Sequence, residues 1–379
     1  MTKPPLNATK RPMKRVAIII IVTVLILSSA LVVTRSLNPN TGSKKLQSVP
    51  GCVDSADEES GVTCSWLALE AVAWKPQNGN TSIGWSTQFM SASYDNLENT
   101  NLSTIQGDLD MLLSSGASCI RIDIGYDPWI LNNLTAQVEM TRLVDEIRSA
   151  GKCLIFADAS AEYYRHHPLD WSQYMQAWTN RVETLAAKYH PNFYIVIKEP
   201  GWYVPMVSDS RTNPQFQNAT VWTDLAQTLA NAVVSASPST RVGVSISSGS
   251  SNQQYYVDFL RGVSGLSNIT FVGYDIYGSS GFTNALYYVG KVGTAKHVWI
   301  AETWSTDNPT FVFRQDRSSL DAYWIQVLYY FAMHIGATNT IPFYTDAFAS
   351  YSKPTDYSLR TPVFAEFQYL ATTYGGVVT

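Results

Sequence analysis

The fold of this chain is decided by FYIVIKE, residues 193–199, an apolar run that ends on a charged pair. Its first five residues are all aromatic or β-branched, which predicts a strand buried on both faces. Lys198 and Glu199 stand where that strand would end. The pattern returns in HVWIAETW, residues 297–304, where Glu302 follows a second apolar run. We therefore predict two buried strands that each carry a carboxyl group to the same end of a sheet.

Strands of this kind alternate with amphipathic stretches over most of the chain. The predicted strands are residues 66–74, 118–125, 152–160, 193–199, 241–247, 269–277, 297–304 and 339–348. The predicted helices that follow them are residues 101–115, 138–150, 171–189, 221–236, 255–262, 282–290, 318–335 and 362–374. This alternation argues for parallel pairing, and eight such units close most economically as a (β/α)8 TIM barrel.

A doubly wound open sheet is the alternative fold. It would usually carry a glycine-rich phosphate loop after its first strand. Residues 73–80 read AWKPQNGN, which does not match GxGxxG. We therefore predict an α/β protein of the (β/α)8 class, preceded by a single N-terminal transmembrane helix.

The composition limits the classes of partner. The chain has 379 residues, enough for one large barrel or two ordinary domains. Its aromatic content of 12%, with 11 Trp and 22 Tyr, suits sugar binding but equally suits an aromatic core. The net charge is −4, and the first 15 residues contribute five positive charges, which leaves −9 on the remainder. An acidic body without a basic stripe argues against nucleic acid as a partner.

The N-terminal segment predicts export. Residues 16–33 read VAIIIIVTVLILSSALVV, an uncharged run of 18 residues behind a basic cluster. A spanning helix needs about 17–25 apolar residues, whereas the core of a signal peptide has about 7–15. We predict a cytoplasmic basic tail and membrane anchor over residues 1–34, with the rest of the chain outside the cell. A signal peptide cleaved near residues 28–30, which would make the protein secreted, is the alternative.

Residues 35–65 are predicted to be a linker and residues 66–379 the folded catalytic domain. Five sequons beyond the apolar run, at Asn80, Asn101, Asn133, Asn218 and Asn268, offer glycan acceptors and weakly support export. Cys52 and Cys64 are 12 residues apart in a polar stretch, so a disulfide between them is plausible. Cys119 and Cys153 each lie in an apolar strand, and a bridge and reduced core cysteines remain equally open.

Polar side chains collect at the ends of the predicted strands, where a barrel carries its active site. The residues at these ends are Arg121 and Asp123 on the second strand, Asp158 on the third, Lys198 and Glu199 on the fourth, Asp275 and Tyr277 on the sixth, Glu302 and Trp304 on the seventh, and the apolar Phe343 with Tyr344 and Asp346 on the eighth. Arg121 is the least expected of these, because Ile120 and Ile122 flank it inside a strand. A buried arginine needs a carboxylate partner. Two carboxyl groups across a barrel mouth are also what cleavage of a glycosidic bond requires.

These residues resemble clan A glycoside hydrolases, (β/α)8 enzymes that include cellulases, β-mannanases and β-1,4-galactanases. The resemblance spans residues 66–379 and rests on a glutamate before Pro200, a glutamate before Trp304, a strand-2 arginine and a strand-6 tyrosine. It implies that Glu199 is the acid/base and Glu302 the nucleophile, with retention of anomeric configuration. It also implies that Arg121 and Tyr277 hold the nucleophile and that Trp304 is a sugar platform. We add Asp158, Lys198 and Asp275 to the predicted substrate-binding residues, and we predict no cofactor or metal.

Lys198 departs from the clan pattern, in which an asparagine before the acid/base binds the sugar 2-hydroxyl. A cation beside Glu199 would lower its pKa, which is the wrong direction for a general acid. Lys198 would point away, be deprotonated by burial, or weaken the site. The last outcome gives the alternative function: a catalytically weak or inactive sugar-binding barrel displayed on the cell surface.

Other classes fit less well. No GxSxG occurs, so a nucleophile elbow is lacking. A metal site near Asp158, Glu162 and His166 is explained better by loop polarity, and a structural adhesin leaves Arg121 unexplained. Aromatic residues near the predicted mouth suggest several sugar subsites and hence an oligo- or polysaccharide with β linkages. These are Tyr126, Trp129, Tyr163, Tyr164, Trp202, Tyr203 and Trp304.

Overall fold

A computed structural model describes residues 52–54, 60–76, 82–94, 97, 100–125, 133–159, 170–200, 218–249, 253–293, 295–351 and 356–379. In these residues, eight parallel strands close into a barrel in sequence order, with β1 next to β8. The strands are β1 (Gly84–Gln88), β2 (Cys119–Gly125), β3 (Cys153–Asp158), β4 (Phe193–Lys198), β5 (Arg241–Ser247), β6 (Ile269–Tyr277), β7 (His297–Trp304) and β8 (Ala337–Pro342). The (β/α)8 prediction is confirmed.

Helices surround the barrel between successive strands. In the described part of the chain they are α1 (Cys64–Trp74), α2 (Leu102–Ser114), α3 (Leu134–Ser149), α4 (Trp171–Tyr189), α5 (Ala219–Ala236), α6 (Gln253–Ser264), α7 (Gly278–Val292), the short α8 (Pro309–Val312), α9 (Ser318–His334) and α10 (Pro362–Tyr374). Three of the sequon asparagines, Asn101, Asn133 and Asn218, cap the N-termini of α2, α3 and α5.

The first predicted strand is wrong: residues 66–74 belong to helix α1. The segment is rich in Ala and Leu, which favour helix, and the Thr63 side chain caps it by accepting from the Trp66 amide at 3.0 Å. Helix α1 packs outside the barrel, where Trp74 lies 4.7 Å from Phe331 of α9. Strand β1 comes later, at Gly84–Gln88, and it pairs with β2 and β8.

The folded part begins before residue 66. Val62 is buried, and the Val53 amide donates to the Ser319 side chain at 3.1 Å. A disulfide joins Cys52 to Cys64, the first residue of α1. A second joins Cys119 and Cys153, which are direct partners in the β2–β3 register. Parts of the predicted linker are therefore fixed against the barrel.

The membrane prediction concerns residues 16–33, which lie outside the described residues. Among the helices that are described, none combines the length and apolar character needed to cross a bilayer.

The barrel interior is filled near the strand starts, and this leaves the opposite end for the polar groups. Phe271 and Trp299 stack with ring centres 3.8 Å apart, and Phe193 lies edge-on at 4.9 Å from Trp299. Gly243 makes room for this layer, because a Cβ there would come within 2.3 Å of the Phe271 ring. The carboxyl ends of the strands are thus the place where side chains can meet a substrate.

Candidate active site

Three strands converge on the carboxylate of Glu302 at the end of β7. Arg121 of β2 donates from Nη2 to Glu302 Oε1 at 2.5 Å, and Lys198 Nζ of β4 lies 2.7 Å from the same oxygen. The hydroxyl of Tyr277, at the end of β6, donates to Oε2 at 2.9 Å. Glu302 is only 2% exposed. The structure therefore brings three of the predicted residues around the carboxylate of a fourth.

Arg121 has a second carboxylate partner besides Glu302. Its Nε donates to Asp123 Oδ1 at 2.8 Å, and its Nη1 donates to the Ala301 carbonyl at 2.8 Å. The charges of Asp123 and Glu302 raise the pKa of Arg121 despite its complete burial. The cost of burying this arginine, which the sequence left open, is offset by two carboxylates and a carbonyl.

Lys198 points into the site. Its Nζ contacts Glu302, lies 3.5 Å from Asp123 Oδ2, and sits 5.0 Å from the centre of the Phe343 ring. Side-chain exposure is 10%, so the ammonium is held in a mostly dry environment. Of the three outcomes expected for this departure from the clan pattern, the structure excludes the one in which Lys198 points away.

Glu199 follows β4 in a left-handed backbone conformation with φ of 48°. Residues other than glycine adopt this region rarely, and such strain concentrates at functional sites. The conformation is held by the Glu199 amide, which donates to the Ser245 carbonyl of β5 at 3.0 Å. The backbone therefore leaves the extended conformation of β4 at Glu199.

The environment of Glu199 favours its protonated form. Burial, and then the charge of Glu302, raise its pKa to about 7. Three other contacts lower this pKa but do not outweigh the first two causes: the charge of Lys198, a hydrogen bond with Ser247, and the charge of Arg121. The sign predicted for Lys198 is thus correct, while the net shift is the one that a general acid needs.

Asp275 of β6 lies beside Glu302 in the strand register and is fully buried. Burial, followed by repulsion from Glu302 and Glu199, raises its pKa well above the usual range. Ser245 donates to its Oδ2 at 2.9 Å. Both causes favour the protonated form of Asp275.

Asp158 and Trp304 are placed differently from the other predicted residues, since both are fully buried. Asp158 forms an ion pair with Arg181 of α4, and the Trp304 ring packs edge-on against Tyr344 at 6.2 Å. These contacts account for both side chains by packing, and their roles in sugar binding stay predictions.

The sequence assigned no role to Asp123 and Phe343, yet both contact the charged groups of the site. For Asp123 a signal existed: residues two apart on a strand share a face, so Asp123 had to lie beside Arg121. Phe343 follows β8, and only the closure of the barrel brings it over Lys198.

Within the described ranges, no three His, Cys, Asp or Glu side chains are placed to hold a metal ion. Glu162 and His166 lie outside those ranges, as do the predicted aromatic subsites other than Trp304.

Comparisons with known proteins give fold likeness only. No protein-family model and no curated protein match the chain. Among solved structures, beta-glycosidase BGL167 matches at 13% identity and a TM-score of 0.52, covering 81% of this chain and 99% of that one. GH5_18 from Streptomyces cattleya in complex with GlcNAc matches at 11% identity and a TM-score of 0.55, covering 79% and 83%. The virulence factor SghA from Agrobacterium tumefaciens matches at 11% identity and 0.53, covering 81% and 99%. The barrel is therefore one that solved glycoside hydrolases share, and the predicted resemblance to clan A holds at the level of fold.

Proposed function

We propose that this protein is a retaining glycoside hydrolase that cleaves β-linked oligo- or polysaccharides, with Glu199 as acid/base and Glu302 as nucleophile. The observation that carries the proposal is the contrast between the two carboxyl groups. Glu302 accepts hydrogen bonds from two cations and a tyrosine, whereas burial and the charge of Glu302 raise the pKa of Glu199 to about 7. Such a contrast is what divides the acid from the nucleophile in a glycosidase.

In the first step a carboxylate oxygen of Glu302 attacks the anomeric carbon and forms a glycosyl ester. The glycosidic C–O bond breaks, and its oxygen takes the proton of Glu199 and leaves as a hydroxyl. We assign the attack to Oε2, because Oε1 already accepts from Arg121 and Lys198 while Oε2 accepts only from Tyr277 among the described residues.

In the second step Glu199, now a carboxylate, takes a proton from water as that water attacks the anomeric carbon. The ester bond breaks, the sugar leaves with retained configuration, and Glu302 becomes a carboxylate again. Esterification removes the charge of Glu302, which is one of the two causes that raise the pKa of Glu199. The same residue is therefore a better acid before the first step and a better base before the second.

The test is turnover of a panel of β-glucans, β-mannans, β-galactans and β-xylans by the purified protein. We expect release of reducing sugar, and a loss of at least 1,000-fold in Glu302→Gln, as an order-of-magnitude estimate for removing a nucleophile. An activated 2-fluoro-glycoside is expected to accumulate as an ester on Glu302, seen as a peptide mass shift. Activity that survives unchanged in Glu302→Gln would reject the assignment.

A sugar-binding barrel without hydrolysis is the second candidate, and one contact favours it. Two cations on Glu302 reduce the electron density that the nucleophile can offer. This candidate predicts saturable binding of an oligosaccharide with no turnover and no ester on Glu302. The panel above, measured for binding as well as for product, separates the two.

We also propose that residues 16–33 anchor the chain in the cell membrane with the barrel outside. The two disulfides among the described residues support an oxidising compartment. Extraction of membranes at high pH is expected to leave the protein in the membrane fraction, and external protease is expected to reach the barrel in intact cells. A cleaved signal would instead give soluble protein in the medium.

A further inference from the structure

We propose that Asp123 is a positioning residue that shares Arg121 and Lys198 with Glu302, and that this sharing lets the site carry a lysine beside its acid/base. The inference rests on the proposed function for its catalytic meaning. It concerns a residue to which the sequence analysis gave no role.

Four charged side chains of the described residues contact one another in this site. Arg121 donates to Asp123 through Nε at 2.8 Å and to Glu302 through Nη2 at 2.5 Å. Lys198 Nζ lies 2.7 Å from Glu302 and 3.5 Å from Asp123. Each cation therefore bridges both carboxylates, and each carboxylate faces both cations. Two positive and two negative charges balance within the set.

The balance matters because Glu302 alone would leave one cation in excess. Both cations lower the pKa of Glu199, so an uncompensated positive charge would favour loss of the proton that catalysis needs. In turn, both cations lower the pKa of Asp123, which keeps it ionised as their partner. Asp123 is thus the group that offsets the extra charge introduced by Lys198.

Among the described residues, the other titratable groups that face this set form no ion pair with Arg121 or Lys198. From β6, burial raises the pKa of Tyr277 well above its usual range, and burial with repulsion from Glu302 and Glu199 does the same for Asp275, whose side chain accepts from Ser245. From β8, burial raises the pKa of Tyr344 to about 12. From β1, Gln88 contributes a hydrogen bond to Asp123 but no charge. Among the described residues, Asp123 is the only carboxylate besides Glu302 that pairs with Lys198.

A role for Asp123 in packing alone, or in holding the sugar directly, predicts different results. Its side chain is 16% exposed, so contact with a substrate is sterically open. A substrate ligand would change KM and leave the ionisation of Glu199 as it is. If Asp123 acted only in packing, its replacement would change thermal stability and would leave both KM and the ionisation of Glu199 unchanged.

The experiment uses three variants: Asp123→Asn, Lys198→Met and the double variant. Loss of the acid's proton sets the high-pH limb of kcat/KM. We expect Asp123→Asn to move that limb down by about half to one pH unit, the order of magnitude for losing one nearby negative charge at an effective dielectric of about 20–40. Lys198→Met is expected to move it up by a similar amount. The double variant restores the charge balance and is expected to return the limb to within about 0.3 unit of the parent.

A titration that does not depend on turnover separates this inference from the proposed function. The protein is labelled with 13C at the glutamate carboxyl carbon, and Glu199 is identified by the signal that Glu199→Gln removes. The pKa read from this signal is expected to fall in Asp123→Asn, to rise in Lys198→Met and to return to the parent value in the double variant. Asp123→Glu, which keeps the charge, is expected to keep the parent pKa. If the shifts appear without any glycosidase activity, the proposed function fails and the charge compensation stands. If Asp123→Asn folds and leaves the Glu199 titration unmoved, the compensation itself is refuted.

Discussion

Replacing Glu199 by glutamine is expected to stabilise the protein at pH 8 and to have little effect at pH 4.5. Folding raises the pKa of this carboxyl from 4.5 to about 7. Between these values the folded state binds more protons than the unfolded state, so stability falls as pH rises. Glutamine cannot ionise, and the variant therefore escapes this loss. The benefit grows from about pH 4.5 and levels off above about pH 7.

The size of the effect follows from the shift. Each pKa unit corresponds to about 1.4 kcal/mol, so the full shift from 4.5 to about 7 sets an upper bound of about 3.5 kcal/mol, and we expect about 2–3 kcal/mol. For a domain of this length that corresponds to a rise in Tm of about 3–5 °C. The variant should lose the proposed activity while it gains this stability.

The assay is thermal unfolding by calorimetry at half-unit steps from pH 4.5 to pH 8.5. Glu183→Gln is the matched control, because Glu183 is exposed on α4 and its removal changes the net charge equally. A Tm difference that does not vary with pH, or that is negative at pH 8, would refute the reasoning that burial and Glu302 keep Glu199 protonated.

Three further predictions concern charged, hydrogen-bonded and disulfide-bonded groups of the barrel. Arg121→Met leaves Asp123 and Glu302 with Lys198 as their shared cation, so it should lower the free energy of unfolding by denaturant by about 3–5 kcal/mol. The control Arg314→Met breaks an exposed pair with Asp316 and should lower that free energy by less than about 1 kcal/mol. Tyr277→Phe removes the hydrogen bond to Glu302 Oε2, so kcat/KM on a cleaved β-glycoside is expected to fall about 10- to 100-fold while Tm changes by less than about 2 °C. Full activity would show that the hydroxyl does not hold the nucleophile. Alanine at both Cys119 and Cys153 opens a bridge across 34 residues and should lower the free energy of unfolding by about 4 kcal/mol in denaturant unfolding without reductant, a condition that keeps the Cys52–Cys64 bridge closed.

The sequence predicted seven of the strands because each is an apolar run of β-branched and aromatic residues. It missed β1, GWSTQ, because that strand is buried with polar side chains. The Ser86 hydroxyl donates to Asn339 Oδ1 at 2.9 Å, a partner 253 residues away that no local pattern reveals. The sequence pattern places the first strand at residues 66–74 instead, because a short apolar run is compatible with a strand and with a helix alike.

The sequence predicted which side chains come together where position along a strand was sufficient. Glu302, Arg121, Tyr277 and Lys198 meet because strand ends share one rim of a barrel. Asp158 also stands at a strand end, but its ion pair comes from Arg181 on α4, a contact set by how the helix packs. Burial of Trp304 likewise depends on its neighbours in space, and the sequence alone does not specify them.

The left-handed backbone at Glu199 is a conformation in which the residue that best suits stability is not the residue that the proposed chemistry needs. Glycine would occupy that conformation without penalty, and asparagine would tolerate it better than glutamate does. In a library of variants screened only for heat resistance, position 199 is therefore where improved clones should gather, and those clones would have discarded the proton donor. A screen that also demands sugar release should keep the glutamate and find its gains elsewhere in the barrel.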